Sequence, residues 1–262
     1  MESSEKRLAV VTGASSGIGF ELARLLSEDG FELIVAAEDD DIVTAARELG
    51  EADAVQVDLS KDDGVRELHR RVEATGRPVD ALVLNAGIGA GGGFVADTDL
   101  ADELRLIDLN VRSTVHLAKL VLPRMVERGE GRVLITSSIA STMPGSFQAV
   151  YNASKSFVQS FALALREELK DTGVTVTSLM PGPTDTEFFE RADMLDTKVG
   201  AGDKDDPAAV ARDGFEAMMA GKERVVSASL STKLQGRGSR LIPDRVKAKM
   251  HRRMAEPGSA DD

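Results

Sequence analysis

The sequence predicts an α/β fold: a doubly wound, mostly parallel sheet of seven strands in a three-layer sandwich. Seven short apolar runs rich in β-branched residues alternate with segments whose apolar residues recur at helical spacing. This alternation implies right-handed crossovers between parallel strands, and strands that are apolar throughout fit a sheet covered on both faces. The predicted strands span residues 8–11, 33–37, 54–57, 81–84, 133–136, 174–179 and 225–228.

Length and composition favour one domain and exclude several classes of protein. The chain has 262 residues, 42% of them hydrophobic, which suits a single large domain. Cysteine is absent, which excludes disulfides and thiolate metal sites, and His69, His116 and His251 are too far apart in sequence to indicate a metal site. The net charge of −12 argues against nucleic-acid binding, which needs a basic surface. We expect no metal and no nucleic-acid partner.

The ends of the chain and its apolar runs bear on location. The N-terminal residues 1–6 are polar, unlike a signal peptide. No apolar run approaches the roughly 20 residues that a membrane helix needs. A soluble, cytoplasmic protein with no membrane span is therefore expected.

A glycine-rich turn follows the first predicted strand and leads straight into a helix predicted over 18–28. Residues 12–19 read T-G-A-S-S-G-I-G. Glycines let the backbone approach a pyrophosphate, and a helix N-terminus offers free N–H groups and a partial positive charge. The spacing differs from the general G-x-G-x-x-G fingerprint, so a simple tight turn is the alternative. The candidate cofactor-binding residues are Gly13, Ser15, Ser16, Gly17, Ile18 and Gly19.

Two further strand ends carry polar residues, and ligands of doubly wound sheets bind at such ends. Asp58 could accept a hydrogen bond from an adenine amino group, although a helix N-cap at Asp58 or Ser60 is the alternative. The small tripeptide at 85–87 lets a ribose pass close to the backbone, although it also suits a structural turn. The candidate residues here are Asp58, Leu59, Asn85, Ala86 and Gly87.

The only tyrosine of the chain follows the fifth predicted strand. Tyr151 comes thirteen residues after Ser138, and Lys155 follows at i+4 on the same face of a helix predicted over 150–170. A carbonyl that is being reduced needs a proton at oxygen as hydride arrives at carbon. A free tyrosine, with a pKa of about 10, is a poor base for alcohol oxidation at neutral pH, but a nearby ammonium lowers that pKa. These three residues are candidates for proton transfer.

Together the motifs resemble those of the short-chain dehydrogenase/reductase family in its compact, single-domain branch. The resemblance runs from about Leu8 to Val226. Its motifs, in order, are T-G-A-S-S-G-I-G (12–19), V-D-L (57–59), N-A-G (85–87), L-N-V (109–111), T-S-S (136–138), Y-N-A-S-K (151–155) and P-G-P-T-D-T (181–186). Several independent motifs in one order make the resemblance specific. It implies a Rossmann-like fold.

The resemblance also implies roles for single residues. Tyr151 would be the acid/base, and Ser138 would bind the substrate oxygen. Lys155 would bind the nicotinamide ribose and lower the pKa of Tyr151. Asn110, within a helix predicted over 100–128, would hold a water that links Lys155 to solvent; a buried helix-bending residue is the alternative. The predicted tetrad is Asn110, Ser138, Tyr151 and Lys155, and the cofactor-binding residues after the sixth strand are Pro181, Gly182 and Thr186, the last near the carboxamide.

The activity implied is that of an NAD(P)-dependent oxidoreductase. It would move hydride between a nicotinamide cofactor and a small-molecule alcohol/ketone or aldehyde substrate, acting on CH–OH groups. A homodimer or homotetramer would form through the helices that contain Asn110 and Tyr151. A catalytically silent nucleotide-sensing protein is one alternative, which the complete tetrad disfavours. An epimerase or dehydratase is another, which usually needs a larger substrate domain than this length allows.

The second strand bears on the choice between NAD and NADP. Members of this family that prefer NAD usually have an acidic residue at its end, and those that prefer NADP often have an arginine one residue later. Here these positions are Ala37 and Glu38, and Asp39–Asp41 follow. Carboxylates would repel a 2′-phosphate, whereas Glu38 could accept from ribose hydroxyls, so we favour NAD. Ser15, Ser16 or a distant arginine could still hold a phosphate.

The remaining segments concern the substrate. Residues 184–206 should form a lid, and residues 87–93 (G-I-G-A-G-G-G) a mobile loop beside the pocket. The apolar candidates of the lid, either for substrate contact or for packing, are Phe188, Phe189, Met194 and Leu195.

A basic C-terminal extension over 227–262 follows. Between Val225 and Glu256 there are eight Lys/Arg residues and two acidic ones. Pro243 and Asp244 indicate a helix start, and Val246, Met250 and Met254 then recur every four residues. Such a helix would pack on its own subunit, or it would dock on a neighbouring subunit or a membrane surface. Separately, the extension could block the tetramer that the resemblance implies. The charge favours an anionic substrate group or partner, with a solvated helix face as the alternative.

Overall fold

The computed structural model describes residues 6–227 and 242–261. Within them lies a seven-stranded sheet of order β3-β2-β1-β4-β5-β6-β7, and every strand pair is parallel. The predicted doubly wound fold is therefore confirmed. The strands are β1 (Leu8–Thr12), β2 (Glu32–Ala37), β3 (Asp53–Gln56), β4 (Ala81–Leu84), β5 (Gly131–Thr136), β6 (Val174–Pro181) and β7 (Arg224–Ser227).

Helices cover both faces of the sheet. Successive residues of a strand point to opposite faces. In β1, Leu8 and Val10 accordingly belong to one apolar core, and Ala9 and Val11 to the other. The helices are α1 (Gly17–Glu28), α2 (Asp41–Glu48), α3 (Asp62–Ala74), α4 (Leu100–Ile107), α5 (Thr114–Arg128), α6 (Ala149–Glu168), α7 (Phe188–Arg191), α8 (Lys198–Ala201), α9 (Pro207–Met219) and α10 (Asp244–Ala255).

The strand order reverses beside β1, which pairs with β2 on one side and with β4 on the other. Crossover helices leave this point towards opposite faces, so a crevice opens at the carboxyl ends of the strands. The glycine-rich turn after β1 and the tripeptide after β4 both lie there. The topology thus brings together residues that are about 70 positions apart in sequence.

The helix predicted over 100–128 is continuous but changes its winding. α4 and α5 are joined by a π-helical segment, Asp108–Ser113, which contains Asn110. A π-helical turn adds a residue to the turn and is common at functional sites. Periodicity alone could not predict this change, because both windings keep one face of the helix buried.

The C-terminal helix begins where the sequence predicts, directly after Pro243. It packs on its own chain, where His251 and Ala255 are buried. The residues that recur every four positions differ in burial, because Val246 and Met250 are 44% and 46% exposed whereas Met254 lines a cavity. The helix is tied to the body by the bond from Ser146 Oγ to the Ala248 carbonyl, at 3.0 Å.

Some sequence predictions lie outside the described residues. These are the polar N-terminus before Lys6, the last residue of the seventh predicted strand, and the extension over 228–241. Within 6–227 and 242–261, no helix combines the length and apolar character that crossing a bilayer requires.

Candidate active site

A cavity of about 310 Å³ lies at the carboxyl ends of the strands. One end, which we call the glycine end, is formed by residues 13–19, 37–39 and 57–59. The other, which we call the lid end, is formed by Phe188, Phe189, His251 and Met254. Among the predicted site residues, those that line the cavity are Gly13, Ser15, Ser16, Gly17, Ile18, Gly19, Glu38, Asp58, Leu59, Asn85, Ala86, Gly87, Ser138, Tyr151, Lys155, Pro181, Gly182 and Thr186.

The turn before α1 has the shape of a phosphate cradle. Gly13 has a φ of 65°, and a Cβ on Gly19 would lie 1.9 Å from the Gly13 carbonyl oxygen. Only glycine fits so close an approach. Ser16 precedes α1 without a side-chain capping bond, which leaves the first N–H groups of the helix to a ligand. This turn therefore fits the pyrophosphate of a dinucleotide, and Thr186 stands beside it against Gly17.

Asn85 joins three strand ends. Its Nδ2 donates to the main-chain oxygens of Thr12 and Gly13, both at 3.2 Å, and its Oδ1 accepts from Thr136 Oγ1 at 3.0 Å. The side chain thus holds the ends of β1, β4 and β5 together, and neither Asn85 nor Gly87 has the positive φ that the alternative of a structural turn supposed. Ala86 and Gly87 line the cavity beside it.

Asp58 lines the cavity but is committed to local bonds. Its Oδ1 accepts from Ser60 N at 2.9 Å, and its Oδ2 lies 3.1 Å from Lys61 Nζ. Burial raises the pKa of this carboxyl, but the bonds from Ser60 and Lys61 outweigh it and hold the pKa below its ordinary value. α3 begins at Asp62 after Lys61, so neither Asp58 nor Ser60 is its N-cap. The alternative prediction of an N-cap is wrong by a few residues.

Three residues of the predicted tetrad meet in the middle of the cavity. Tyr151 and Lys155 lie on the first turns of α6, 9% and 6% exposed, and the Tyr151 hydroxyl is hydrogen-bonded to Ser138. Lys155 Nζ donates to the Thr136 carbonyl at 3.1 Å. Ser137 Oγ instead donates to the Lys155 carbonyl at 3.1 Å, which leaves Ser138 as the serine beside the tyrosine.

Burial dominates the acid–base properties of this group. It raises the pKa of Tyr151 to about 12, against which the hydrogen bond to Ser138 acts in the lowering direction. Burial also lowers the pKa of Lys155 to about 8. The predicted lowering of the tyrosine pKa by Lys155 is not among the causes in this structure, where Nζ lies 5.9 Å from the ring centroid.

Asn110 lies behind the cavity wall and does not line it. Its Nδ2 donates to the Ile88 carbonyl at 2.9 Å and to Ser154 Oγ at 3.0 Å, and its Oδ1 accepts from Ile88 N at 2.9 Å. A Cβ on Gly87 would come within 3.0 Å of Asn110 Oδ1 and 3.3 Å of Lys155 Nζ. Asn110 therefore fixes the backbone after β4 close to Lys155.

The acidic residues after β2 face the glycine end. Ser15 Oγ donates to Asp39 Oδ2 at 3.1 Å, and Asp39 Oδ1 is buried without a hydrogen-bond partner among the described groups. Glu38 forms an ion pair with Arg105 of α4. Sequence reasoning left a distant arginine open without naming it, because Arg105 follows 67 positions later and only the fold brings it here.

The four apolar lid candidates have different roles. The Phe188 ring lies 5.2 Å from that of Tyr151 and covers Gly89, while Phe189 is buried and also lines the cavity. Met194 is fully buried and packs in an apolar cluster. Leu195 is 55% exposed and neither lines the cavity nor packs in that cluster.

The glycine loop at 87–93 is tied to its surroundings. Gly91 N donates to the Ala192 carbonyl and Gly92 N to the Phe147 carbonyl, both at 3.0 Å. These bonds join the loop to the lid segment and to the turn before α6. The predicted mobility of the loop stays a prediction.

Two lining residues, His251 and Met254, come from α10. Sequence reasoning placed neither in the site, because nothing in the local pattern tells where a C-terminal helix will pack. Within 6–227 and 242–261 no group of three or more His, Asp or Glu residues is placed to hold a metal ion.

Comparison with known proteins establishes the family. A family model described as short chain dehydrogenase matches residues 7–194. Sulfoacetaldehyde reductase 2 of Chromohalobacter salexigens is 35% identical over 186 residues, which cover 69% of this chain and 74% of that protein. The chain belongs to the short-chain dehydrogenase/reductase family.

Solved structures of the family are similar along most of the chain. A short-chain dehydrogenase from Sphingobium yanoikuyae in complex with NADPH has a TM-score of 0.79 and 27% identity, covering 89% of this chain and 93% of its own. A 3-ketoacyl-(acyl-carrier-protein) reductase from Brucella melitensis complexed with NADH has a TM-score of 0.78 and 25% identity, covering 86% and 98%. The protein is a nicotinamide-dependent oxidoreductase, and neither the silent sensor nor the epimerase is favoured.

Proposed function

We propose that this protein interconverts alcohols and ketones or aldehydes, with Tyr151 as the acid/base. The observation that carries the proposal is that Ser138, Tyr151 and Lys155 line one cavity together with the phosphate cradle. The relative that reduces sulfoacetaldehyde, as its name states, is consistent with a carbonyl substrate. We keep the cytoplasm as the proposed location, since a cysteine-free chain suits a reducing compartment.

In this mechanism the residues of the chain handle the proton. The bound nicotinamide supplies or receives the hydride. Ser138 orients the substrate oxygen, and Tyr151 donates its proton to that oxygen during reduction. A pKa raised to about 12 keeps Tyr151 protonated at neutral pH, which suits the reductive direction. Lys155 would bind the nicotinamide ribose and, through a water held near Asn110, would return a proton to the tyrosine.

Replacing Tyr151 with phenylalanine tests this role. Tyr151→Phe removes the hydroxyl and keeps the ring against Phe188. We expect turnover to fall by at least about 100-fold, since general acid–base groups contribute roughly 10²–10⁴. Binding of NADH, measured by nicotinamide fluorescence, should stay close to that of the wild type. Turnover that survives the substitution would contradict the mechanism.

NAD is the proposed cofactor. Glu38 and Asp39 line the glycine end, and Asp39 accepts from Ser15, a serine otherwise free to bind a 2′-phosphate. Two carboxylates there disfavour a second anion and offer acceptors to ribose hydroxyls. Arg105 is a cation close to these carboxylates. Its ion pair with Glu38 keeps it from binding a 2′-phosphate.

Titration with NADH and NADPH tests the preference, and Glu38→Gln sharpens it. This change removes one carboxylate and releases Arg105. We expect NADPH affinity to rise by about 10-fold, as for one charge interaction of about 1.4 kcal/mol. Glu67→Gln is the matched control, because it makes the same charge change on α3 beside Arg70, away from the cavity. Tighter binding of NADPH than NADH by the wild type would contradict the proposal.

A homodimer or homotetramer through the helices that contain Asn110 and Tyr151 is also proposed. Leu100, Leu104 and Ile107, at helical spacing on α4, are 68%, 51% and 40% exposed, and Phe157 of α6 is 45% exposed. An apolar face of this kind is typical of an interface between subunits. Sedimentation should give a dimer or a tetramer, and Leu104→Glu should shift it towards the monomer. A monomeric wild-type protein would exclude the proposal.

A further inference from the structure

The lid end of the cavity is built in part from residues that follow the segment matched by the family model, residues 7–194. α10 supplies His251 and Met254 to the lining, and Ala255 packs beside them against Phe189 and Met194. The residues after α10 hold the lid segment. Ser259 Oγ accepts from Lys198 N at 3.1 Å, and Gly258 N donates to Asp196 Oδ2 at 2.7 Å.

His251 is the buried polar group at this end. It is 5% exposed, and its Nδ1 lies 2.9 Å from the Ser146 carbonyl oxygen. A carbonyl only accepts hydrogen bonds, so Nδ1 carries the proton. The next residue, Phe147, has a φ of 64°, a left-handed conformation that is uncommon for phenylalanine. Strain of this kind clusters where the backbone must present particular groups.

The other ring nitrogen, Nε2, remains for a ligand. No described group hydrogen-bonds to it, and it is not among the fully enclosed side-chain atoms that lack a partner. The ring lines the cavity. Burial holds the pKa of His251 below its ordinary value, against the Ser146 bond, so the imidazole is neutral at pH 7 and above. A neutral imidazole protonated at Nδ1 offers an acceptor at Nε2.

Charged side chains lie near this end, and several of them form ion pairs with one another. Arg191 and Glu187, the two charged lid residues of the lining, pair with each other at 2.5 Å. On α10, Lys247 pairs with Asp244 at 3.1 Å and Arg252 with Glu256 at 2.7 Å. Lys204 Nζ lies 5.4 Å from the centroid of the Phe189 ring. Phe188 and Met254, which also line this end, are apolar.

We infer that His251 determines substrate specificity by accepting a hydrogen bond from a second polar group of the substrate, a hydroxyl remote from the reacting carbon. The substrate class is then a neutral hydroxy-ketone or diol with an apolar stretch between its two oxygens. This inference rests on the proposed alcohol/ketone activity. It assigns to α10 the recognition of the far end of the substrate, while Ser138 and Tyr151 hold the reacting oxygen.

The test is a set of matched ketones reduced with NADH or NADPH, whichever binds more tightly. The set comprises methyl ketones of about five to eight carbons, their ω-hydroxy forms and their ω-carboxylate forms. For the wild type we expect the hydroxy form to exceed the plain ketone in kcat/KM by about 3- to 10-fold at one length, as one hydrogen bond of about 0.5–1.5 kcal/mol gives. The higher kcat/KM of the hydroxy form should come mainly from a lower KM.

Two variants of His251 decide the point. His251→Leu should bring the ratio of hydroxy to plain ketone close to one. His251→Gln, which keeps an acceptor, should retain part of it. The ratio is measured within one preparation, so partial unfolding of a variant cancels. Ser146→Ala is the matched control: it removes the 3.0 Å bond from Ser146 Oγ to the Ala248 carbonyl on the same helix and keeps the backbone carbonyl that His251 contacts. The ratio should then be unchanged.

Several results would overturn the inference. They are a wild-type ratio near one at every length, a preference for the carboxylate, or an unchanged ratio in His251→Leu. Failure of the proposed function looks different: no ketone of the set is reduced with either cofactor. Dissociation constants of the same ketones, measured on the enzyme–NADH complex by nicotinamide fluorescence, then decide the inference by the same ratio.

Discussion

The glycine end and the lid end of the cavity differ in what forms them. At the glycine end the backbone forms the wall: the turn at 13–19 approaches so closely that a side chain on Gly19 would overlap the Gly13 carbonyl. At the lid end side chains form it, from α7, α8 and α10, which lie outside the sheet. The shape of the glycine end depends on the order of the strands and on glycine residues. The shape of the lid end depends on the packing of segments that lie outside the sheet.

This difference explains where the chain matches its relatives. The family model covers β1 to the first part of the lid and stops at residue 194, before α8 and α10. Backbone geometry tolerates few substitutions, because a single Cβ blocks it. A wall made of side chains can change its chemistry without disturbing the sheet. We therefore expect cofactor binding and substrate recognition to be separable by mutation.

The largest effect is expected at the glycine end. Gly19→Val places side-chain atoms where the Gly13 carbonyl lies, so the turn must open. NADH affinity should fall by about 100-fold or more, the equivalent of about 3 kcal/mol for one severe overlap in a packed site. The measurement is a fluorescence titration.

Gly30→Ala is the control for backbone strain without steric overlap, at a site away from the glycine end. Unlike Gly19, Gly30 has a positive φ of 84°, and a Cβ there meets nothing within 4 Å. We expect a modest loss of stability and unchanged NADH affinity. Equal losses of affinity in Gly19→Val and Gly30→Ala would show that the close approach at Gly19 is not what matters.

The second largest effect is a change in the stability of the fold at Lys155, which lies between the two ends of the cavity. Its pKa falls from 10.5 to about 8 on folding, so the unfolded chain binds the proton more tightly. The cost of burying the ammonium is therefore present in full below pH 8 and disappears as the pH rises towards 10.5. Lys155→Met removes this cost and should stabilise the fold at pH 7 by up to about 3 kcal/mol, while turnover is lost.

Urea unfolding of wild type and Lys155→Met at pH 7 and at pH 9.5 checks this. The advantage of the variant should shrink at the higher pH. Lys170→Met, an exposed lysine at the end of α6, should change stability little at either pH. An advantage that grows with pH would contradict a lowered pKa of Lys155 in the folded protein.

The smallest effect is expected at the lid end. Ala255 is fully buried against Phe189 and Met194, so Ala255→Glu should loosen α10. Substrate KM should rise by about 10-fold, in line with the 1–3 kcal/mol that overpacking costs, while NADH affinity changes by less than about 2-fold. Met250→Glu introduces the same charge on the exposed side of α10 and should change neither. A parallel loss of NADH affinity would mean that the two ends are not separable.

The sequence predicted strands, the glycine turn and the Tyr151–Lys155 pair correctly, because each of these depends on residues that are close together in the chain. The strands were recognisable because they are apolar throughout, and β1 and β4 are indeed fully buried. Glycines at 13, 17 and 19 indicated a cradle because only glycine allows one. Tyr151 and Lys155 could be paired because their spacing is that of one helix face. The roles of these residues in turnover stay predictions.

The sequence did not predict contacts between residues that are far apart in the chain. Arg105 of α4 pairs with Glu38 after β2 only in the folded chain, and the sequence has no signal for that contact. The spacing of Val246 and Met250 left open what this face of the helix contacts, because helical periodicity shows which residues share a face and not whether anything covers it; both are partly exposed in the structure.

The sequence by itself determined the fold class, the family and the position of the cofactor cradle, because these depend on local periodicity and on glycines at fixed spacing. Only the tertiary structure decided which side chains close the cavity. It placed His251 and Met254 at the lid end, buried Lys155 far enough to lower its pKa to about 8, and set Arg105 against Glu38. Burial and charge pairing depend on neighbours that the chain supplies from far along its length, and their positions exist only after folding.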